Sequence, residues 1–361
     1  MNQREVDRQW EIEINDVGVP DATDLCLYAT VLCFSDSEYI VRYITVTSAL
    51  FQRETGYTAT MFKSIRYALD EVSRNYDDTF WWRNRLLHRV VGPVQGVVYG
   101  RDGINVMSED WDNLIILDAC RADAFERIAD IDFFDNYRRV TSKASATPEF
   151  VNKTFTGQEF GDTVYVNSNP HISRDAPGSF HHRYDLWSEA FNEEHGTVMP
   201  EISKKWGIKA ESEYANKRLI VHYNQPHGPY VGDERLEWDH SRARGSGEAL
   251  KKGLITQAEF RAAYGSNLEA ALPTAIELAE KLTGRTVITA DHGELFGKRQ
   301  FPVPICAYAH PPGLRDPDLT TVPWAVINGD ERKAVSDDGT SVERVDSDSV
   351  ERRLEDLGYK T

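Results

Sequence analysis

The sequence predicts an α/β fold with a mostly parallel central sheet and helices on both faces. Two observations predict it. The apolar runs LIIL (114–117), TVYV (163–166), LIVHY (219–223) and TVITA (286–290) are short, unbroken and rich in β-branched residues, as strands buried on both sides must be. Each run gives way to polar residues and then to a stretch with helical spacing, the order of a strand followed by a crossover helix. With 361 residues the chain can bury a large core. The expected division is an N-terminal extension of unassigned role over 1–95 and an α/β domain over 96–361.

Along the chain, residues 1–95 mix the apolar runs LCLYATVLCF (25–34) and EYIVRYITV (38–46) with a helical-looking stretch at 60–74. The segment FWWRNRLLHRVV (80–91) has apolar residues at helical spacing, which predicts a helix packed on a core; a lipid or partner surface is the alternative. Residues 256–282 carry an apolar stripe that stops before Gly284, the pattern of a crossover helix. A capped terminal helix is expected at about 347–358, stopped by Gly358.

Charge narrows the partners. Lys+Arg number 41 against 58 Asp+Glu, a net charge of −17, so the surface repels nucleic acid and anionic membranes. The acid excess is spread along the chain and Arg outnumbers Lys, a composition that suggests adaptation to high salt. Four cysteines without a C-x-x-C pair make neither a disulfide framework nor a zinc site of that kind. The polar N-terminus and the shortness of every apolar run predict no signal peptide and no membrane span, hence a soluble, cytoplasmic protein.

Chemistry collects at the strand ends. In open α/β sheets the crevice beyond the carboxyl ends of the strands is where loops converge and ligands bind. Asp118 follows LIIL directly and Asp291-His292 follows TVITA, so both carboxylates and one imidazole arrive where a cation could be held. Each has a structural alternative: a helix N-cap for Asp118, a surface turn for Asp291-His292-Gly293. His227 follows LIVHY between Pro226 and Pro229, and His310 lies in AYAHPPGL; either could be structural, and His222, inside its strand, reads as a packed histidine. Thr147-Pro148 has the form of a helix start, with Thr147 as N-cap and Pro148 at the first helical position. A hydroxyl there lies among unpaired N–H groups that stabilise a phosphate or sulfate oxygen, and a cation held by Asp118, Asp291 and His292 would activate it.

Taken together, NLIILDACRAD, TPEFVNKTFTG, VHYNQPHGPY, VITADHGE and HPPGLRDPDLTTVPWAVI, in that order from about Trp111 onward, resemble the sulfatase-like branch of the alkaline phosphatase superfamily. The resemblance implies the family's three-layer fold and a metal-dependent hydrolase or group transferase of phosphate or sulfate esters. It implies that Asp118, Thr147, Asp291 and His292 hold a divalent metal, manganese or zinc, and that Thr147 is also the nucleophile, passing through a threonyl ester. His227 and His310 would hold the ester's oxygens or complete a second metal site, and Arg121 would steady the site or touch the substrate. The implied substrate is a small-molecule, glycan or lipid anionic ester.

Three departures qualify this. Thr147 stands where sulfatases of the family carry a modifiable cysteine, which favours a phosphoesterase or phosphotransferase. Position 119 is alanine where sulfatases have an acidic ligand. No Asp precedes a His by four residues around PHGPYVGD, as in two-metal members, so one tight metal is expected and a second is left open. The alternatives are a non-catalytic binding or structural protein on the same fold and an enzyme resembling metal-dependent phosphomutases.

Overall fold

The computed structural model describes residues 71–75, 77, 79–342 and 346–357. The chain forms two compact units, Met1–Asp77 and Asp78–Thr361, and the fold described is that of the second. The apolar runs 25–34 and 38–46, most of the helical-looking stretch 60–74 and Gly358 lie outside the described residues; the described part of that stretch, 71–74, is helical.

Seven strands make one sheet: β1 (Asn113–Leu117), β2 (Asn136–Thr141), β3 (Phe160–Asn167), β4 (Phe180–Asp185), β5 (Arg218–Tyr223), β6 (Thr286–Thr289) and β9 (Thr321–Ile327). Their order is β2-β9-β6-β1-β5-β3-β4. The pairs from β6 through β4 are parallel, while β9 runs antiparallel to both β6 and β2. The four apolar runs are thus β1, β3, β5 and β6, and they occupy the interior of the sheet. Every residue of β1 and β6 is buried, which requires cover on both faces. The mostly parallel α/β architecture expected from the sequence is borne out.

The sequence did not anticipate β2, β4 or the hairpin of β7 (Leu295–Arg299) and β8 (Cys306–Ala309). β2 lies at the sheet edge with only Val140 buried, so its sequence NYRRVT never shows a continuous apolar run.

Helices cover the two faces. α1 (Thr79–Leu86) and α2 (Gly92–Val98) flank a π-helical turn over 87–91; Leu87 and Val91 pack with Leu295, Leu314 and Leu319, the core-packing expected for FWWRNRLLHRVV. α3 (Ala122–Ile128) follows β1, and α4 (Thr147–Thr154) and α5 (Pro170–Asp175) lead into and out of β3. The Phe155 ring at the end of α4 stands 5.7 Å from that of Tyr165 on β3. α6 (Pro200–Glu213) packs on β5 and β3, and α7 (Gln257–Lys281) packs on α6, β1 and β6. Gly207 lets these two approach, because a Cβ there would come within 2.9 Å of Leu278 and 3.2 Å of Val221. α7 opens on a capping box between Thr256 and Glu259, which satisfies backbone donors at its start. α8 (Ser347–Asp356), capped by Asp346, is the terminal helix expected from the sequence.

Candidate active site

Strand register brings the first residues together. β1 and β6 are neighbours, with Ile116 opposite Thr289, so two residues further along each chain Asp118 and Asp291 face one another beyond the carboxyl ends. Both are fully buried. Asp291 Oδ1 accepts from the backbone N–H of Ala119 (3.1 Å) and of His292 (2.9 Å), which fixes its other oxygen toward the site. Asn169 Nδ2 donates to Asp118 Oδ2 at 2.8 Å. The His292 ring keeps Nδ1 on the carbonyl of Gly293 (2.8 Å) and turns Nε2 to 3.4 Å from Asp291 Oδ2 and 3.7 Å from Asp118 Oδ1. That bond selects the tautomer with a free Nε2 lone pair, the form a metal needs.

Thr147 reaches the same point from the first turn of α4. Its Oγ1 lies 2.8 Å from Asp291 Oδ2, 3.1 Å from His292 Nε2 and 3.4 Å from Asp118 Oδ1. The expected cap assignment is corrected: Ala146 is the N-cap, Thr147 opens the helix, and its hydroxyl caps nothing. The hydroxyl is directed at the carboxylates and imidazole instead of its own backbone. Asp118 likewise is no cap, since Arg121 precedes α3.

A second cluster joins His227, Glu294 and His310, whose ligand atoms lie within 4.8 Å of one another, as do those of Asp118, Asp291 and His292. His227 Nδ1 is held by the carbonyl of Gly228 at 2.6 Å, and His310 Nδ1 stands 3.3 Å from Glu294 Oε2. The loop bearing His227 is pinned by Asn267 on α7, whose Nδ2 donates to the carbonyls of Pro226 (3.1 Å) and His227 (2.9 Å). The clusters adjoin, with the His310 ring 4.7 Å from that of His292 and 5.0 Å from that of His227. Glu294, Asn169 and Asn267 escaped sequence reasoning. Glu294 was detectable in DHGE, one residue beyond the singled-out turn; the two asparagines carry no signal outside the fold.

Arg121 stays out of the reacting centre. Its guanidinium pairs with Asp123 (2.8 Å) and Asp318 (3.2 Å), and NH1 donates to the carbonyl of Glu294 (2.9 Å). Its charge is committed to these two carboxylates, and its bond to the Glu294 carbonyl positions that residue. His222 is a packed histidine, as expected, with Nδ1 2.9 Å from the Tyr165 hydroxyl.

Among the described residues two that are not glycine adopt left-handed backbone, Ala119 (φ 63°) and Ala309 (φ 57°). One follows Asp118 and the other precedes His310; such conformations persist where surrounding bonds impose them, here the Ala119 carbonyl on Tyr264 OH at 2.8 Å. Gly293 is constrained more tightly, because a Cβ would stand 2.1 Å from the carbonyl oxygen of Asp318. Gly293→Ala should therefore cost about 1–3 kcal/mol and displace His292 and Glu294 together. Thermal melting and metal content of the variant check this, and an unchanged melting midpoint would contradict it.

Burial holds His227 and His292 down to about 3, with the neighbouring His310 adding to the effect, and His222 to about 4. All three are neutral in the folded protein at neutral pH. Unfolding restores them to about 6.5, so between those limits the unfolded state binds more protons and stability falls as pH falls. The metal-free protein should lose melting temperature steeply from pH 7 to pH 4.5; a flat profile in the presence of chelator would exclude neutral, buried histidines.

No protein-family model and no curated protein matches the sequence. Solved structures do match in shape. The soluble domain of lipooligosaccharide phosphoethanolamine transferase A from Neisseria meningitidis aligns at TM-score 0.42 and 15% identity, over 60% of this chain and 76% of that one. The zinc complex of the C-terminal periplasmic domain of EcEptC from Escherichia coli aligns at 0.39 and 13%, over 63% and 76%. A protein in the alkaline phosphatase superfamily from Vibrio parahaemolyticus aligns at 0.33 and 10%, over 61% of this chain and 60% of that chain. The geometry of the site, and not these distant likenesses, carries the function proposed below.

Proposed function

We propose that the chain is a divalent-metal-dependent enzyme that cleaves or transfers phosphate esters through a covalent ester on Thr147. The observation that carries this is the placement of Thr147 Oγ1 within 3.4 Å of Asp118, Asp291 and His292, at the start of a helix and fully buried. The donor set fits a metal. Neither Asp291 nor Glu294, both buried, lies within ion-pair distance of a lysine or arginine among the described residues. A buried carboxylate left so is costly, and a cation answers it. Carboxylate oxygens with imidazole nitrogens suit zinc or manganese.

Asp118, Asp291, His292 and Thr147 would hold one ion, and His227, Glu294 and His310 would hold a second or bind the ester's oxygens. A divalent ion there supplies Lewis acidity, easing deprotonation of the threonine hydroxyl and polarising the ester. Thr147 Oγ1 attacks phosphorus in line, the Oγ1–P bond forms as the P–O bond to the leaving group breaks, and the departing oxygen takes a proton from solvent. Water, or an acceptor hydroxyl in a transferase, then attacks phosphorus and the Thr147 oxygen leaves and is reprotonated. The N–H groups at the start of α4 face the charge that develops.

Phosphate is favoured over sulfate because threonine occupies the nucleophile position. Cys120 does not substitute for it: burial pushes its thiol well above the usual range, and its Sγ lies 3.8 Å from the carbonyl of Arg121. The substrate we favour is a glycan or lipid phosphate ester, and the cytoplasmic location expected from the sequence stays part of this proposal. No helix among the described residues is long and apolar enough to cross a membrane. The test is metal analysis of the purified protein with hydrolysis of p-nitrophenyl phosphate, bis-p-nitrophenyl phosphate and p-nitrophenyl sulfate, before and after chelation. Bound metal with chelator-sensitive cleavage of a phosphate ester is expected. No cleavage of any of the three after supplementation with zinc or manganese would count against the proposal.

A further inference from the structure

A cavity of about 250 Å³ lies beside the first turns of α4, and its walls include His88, Arg101, Glu149, Lys153, Gly313 and Arg315. None of the residues assigned to the Thr147 centre lines it. Three cations face one carboxylate, an excess of 3 − 1 = 2 positive charges with His88 neutral, in a chain whose net charge is −17.

The carboxylate is already committed. Glu149 Oε2 accepts from the N–H and the hydroxyl of Ser145, 3.0 Å each, and from the N–H of Gly313 at 3.2 Å, while its other oxygen takes Lys153 Nζ. Arg315 has no such direct partner: the Glu149 and Asp102 carboxylates act on it only from beyond ion-pair distance. It is 4% exposed, and its guanidinium donates only to carbonyls: Nε to Gly100 (3.2 Å), NH2 to Asp102 (3.1 Å) and to Ser142 (3.0 Å). Its NH1 has no hydrogen-bond partner, and no carboxylate lies within ion-pair distance of it among the described residues. Burial works against its charge, drawing the group below its ordinary value. A buried guanidinium bonded to neutral carbonyls keeps its whole charge and gains most from an anion brought beside it. Arg101, exposed at the rim and lying against Gly96, and Lys153 complete a set of donors suited to an oxyanion.

We propose that this cavity is an oxyanion site, separate from the Thr147 centre, that takes inorganic phosphate or the phosphate group of a larger molecule. Its position couples it to the chemistry. Glu149 is two residues beyond Thr147 on α4, and Gly313, whose N–H it holds, is three beyond His310. An anion there bears on both the nucleophile helix and the loop carrying His310.

The test uses the full chain stripped of metal with chelator, so that phosphate cannot report on the catalytic ions, at constant ionic strength. Phosphate should raise the melting midpoint of the wild type in a concentration-dependent way, and equally that of Thr147→Ala. Arg101→Glu and Lys153→Glu, at exposed positions chosen because Arg315 variants risk misfolding, should weaken that binding roughly tenfold or more. No stabilisation by phosphate, the same stabilisation in Arg101→Glu, or its loss in Thr147→Ala would each overturn the proposal. Kinetics then separate the two sources. If the site receives part of the substrate, Arg101→Glu raises KM for a monoester bearing a second phosphate and spares p-nitrophenyl phosphate. If it receives free phosphate, the variant loses the thermal response with both KM values unchanged. Melting needs no turnover, so its failure is distinguishable from failure of the esterase reading.

Discussion

Thr147→Ala should abolish turnover, by at least about 10⁴-fold, while the protein stays folded and keeps its metal. In the proposed mechanism this hydroxyl is the attacking group; its oxygen lies 2.8 Å from Asp291 Oδ2 and 3.1 Å from His292 Nε2. Losing it removes no helix cap, since Ala146 occupies that position, and the structural cost is that of about one buried hydrogen bond, ~1 kcal/mol. Asp118, Asp291 and His292 remain to bind the ion. Thr147→Ser, which keeps the oxygen, should retain measurable activity. Steady-state rates on p-nitrophenyl phosphate, with metal content alongside, make the comparison; wild-type rates in Thr147→Ala would refute the covalent mechanism.

Asp291→Asn is the second large effect, and its two readouts move in opposite directions. Asp291 uses Oδ1 for two backbone N–H groups and presents Oδ2 to Thr147 and His292. An amide removes the charge and offers the site either a donor or one acceptor fewer. Supporting residues around metal ligands cost 10–100-fold in affinity when changed, so loss of a direct ligand should cost at least about 100-fold. Metal-free protein, however, should melt no lower than wild type, because the variant no longer buries a carboxylate opposite Asp118 without a lysine or arginine of its own. Metal analysis and melting with chelator measure both. Unchanged metal content would remove Asp291 from the site, and a large loss of stability without metal would mean that its role is structural.

The fold was legible where burial is written locally. A strand covered on both faces must be apolar throughout, so β1, β3, β5 and β6 announced themselves, and the residue after each had a predictable place at the carboxyl edge. Edge strands have no such obligation. β2 and β4 mix charged residues with buried aromatic and aliphatic ones, and nothing in NYRRVT or FHHRYD separates them from loops. Among the described residues the short β7 and β8 pair only with each other, outside the main sheet.

For the site, the sequence by itself determined that Asp118 and Asp291-His292 stand at strand ends and that a helix starts at Thr147-Pro148, one residue earlier than the expected cap would have it, because the apolar runs and Pro148 fix those local states. Tertiary structure alone decided what they meet. The register of β1 on β6 sets Asp118 against Asp291, the turn of the Thr147 hydroxyl away from its backbone places it between them, and the hairpin after β6 carries Glu294 to His227 and His310. It also decided that Arg121 is spent on Asp123 and Asp318, and that Arg315 is buried with no carboxylate in ion-pair contact among the described residues. Local propensity follows from neighbours in sequence, whereas register and the pairing of distant charges follow from packing, which no short stretch of residues contains.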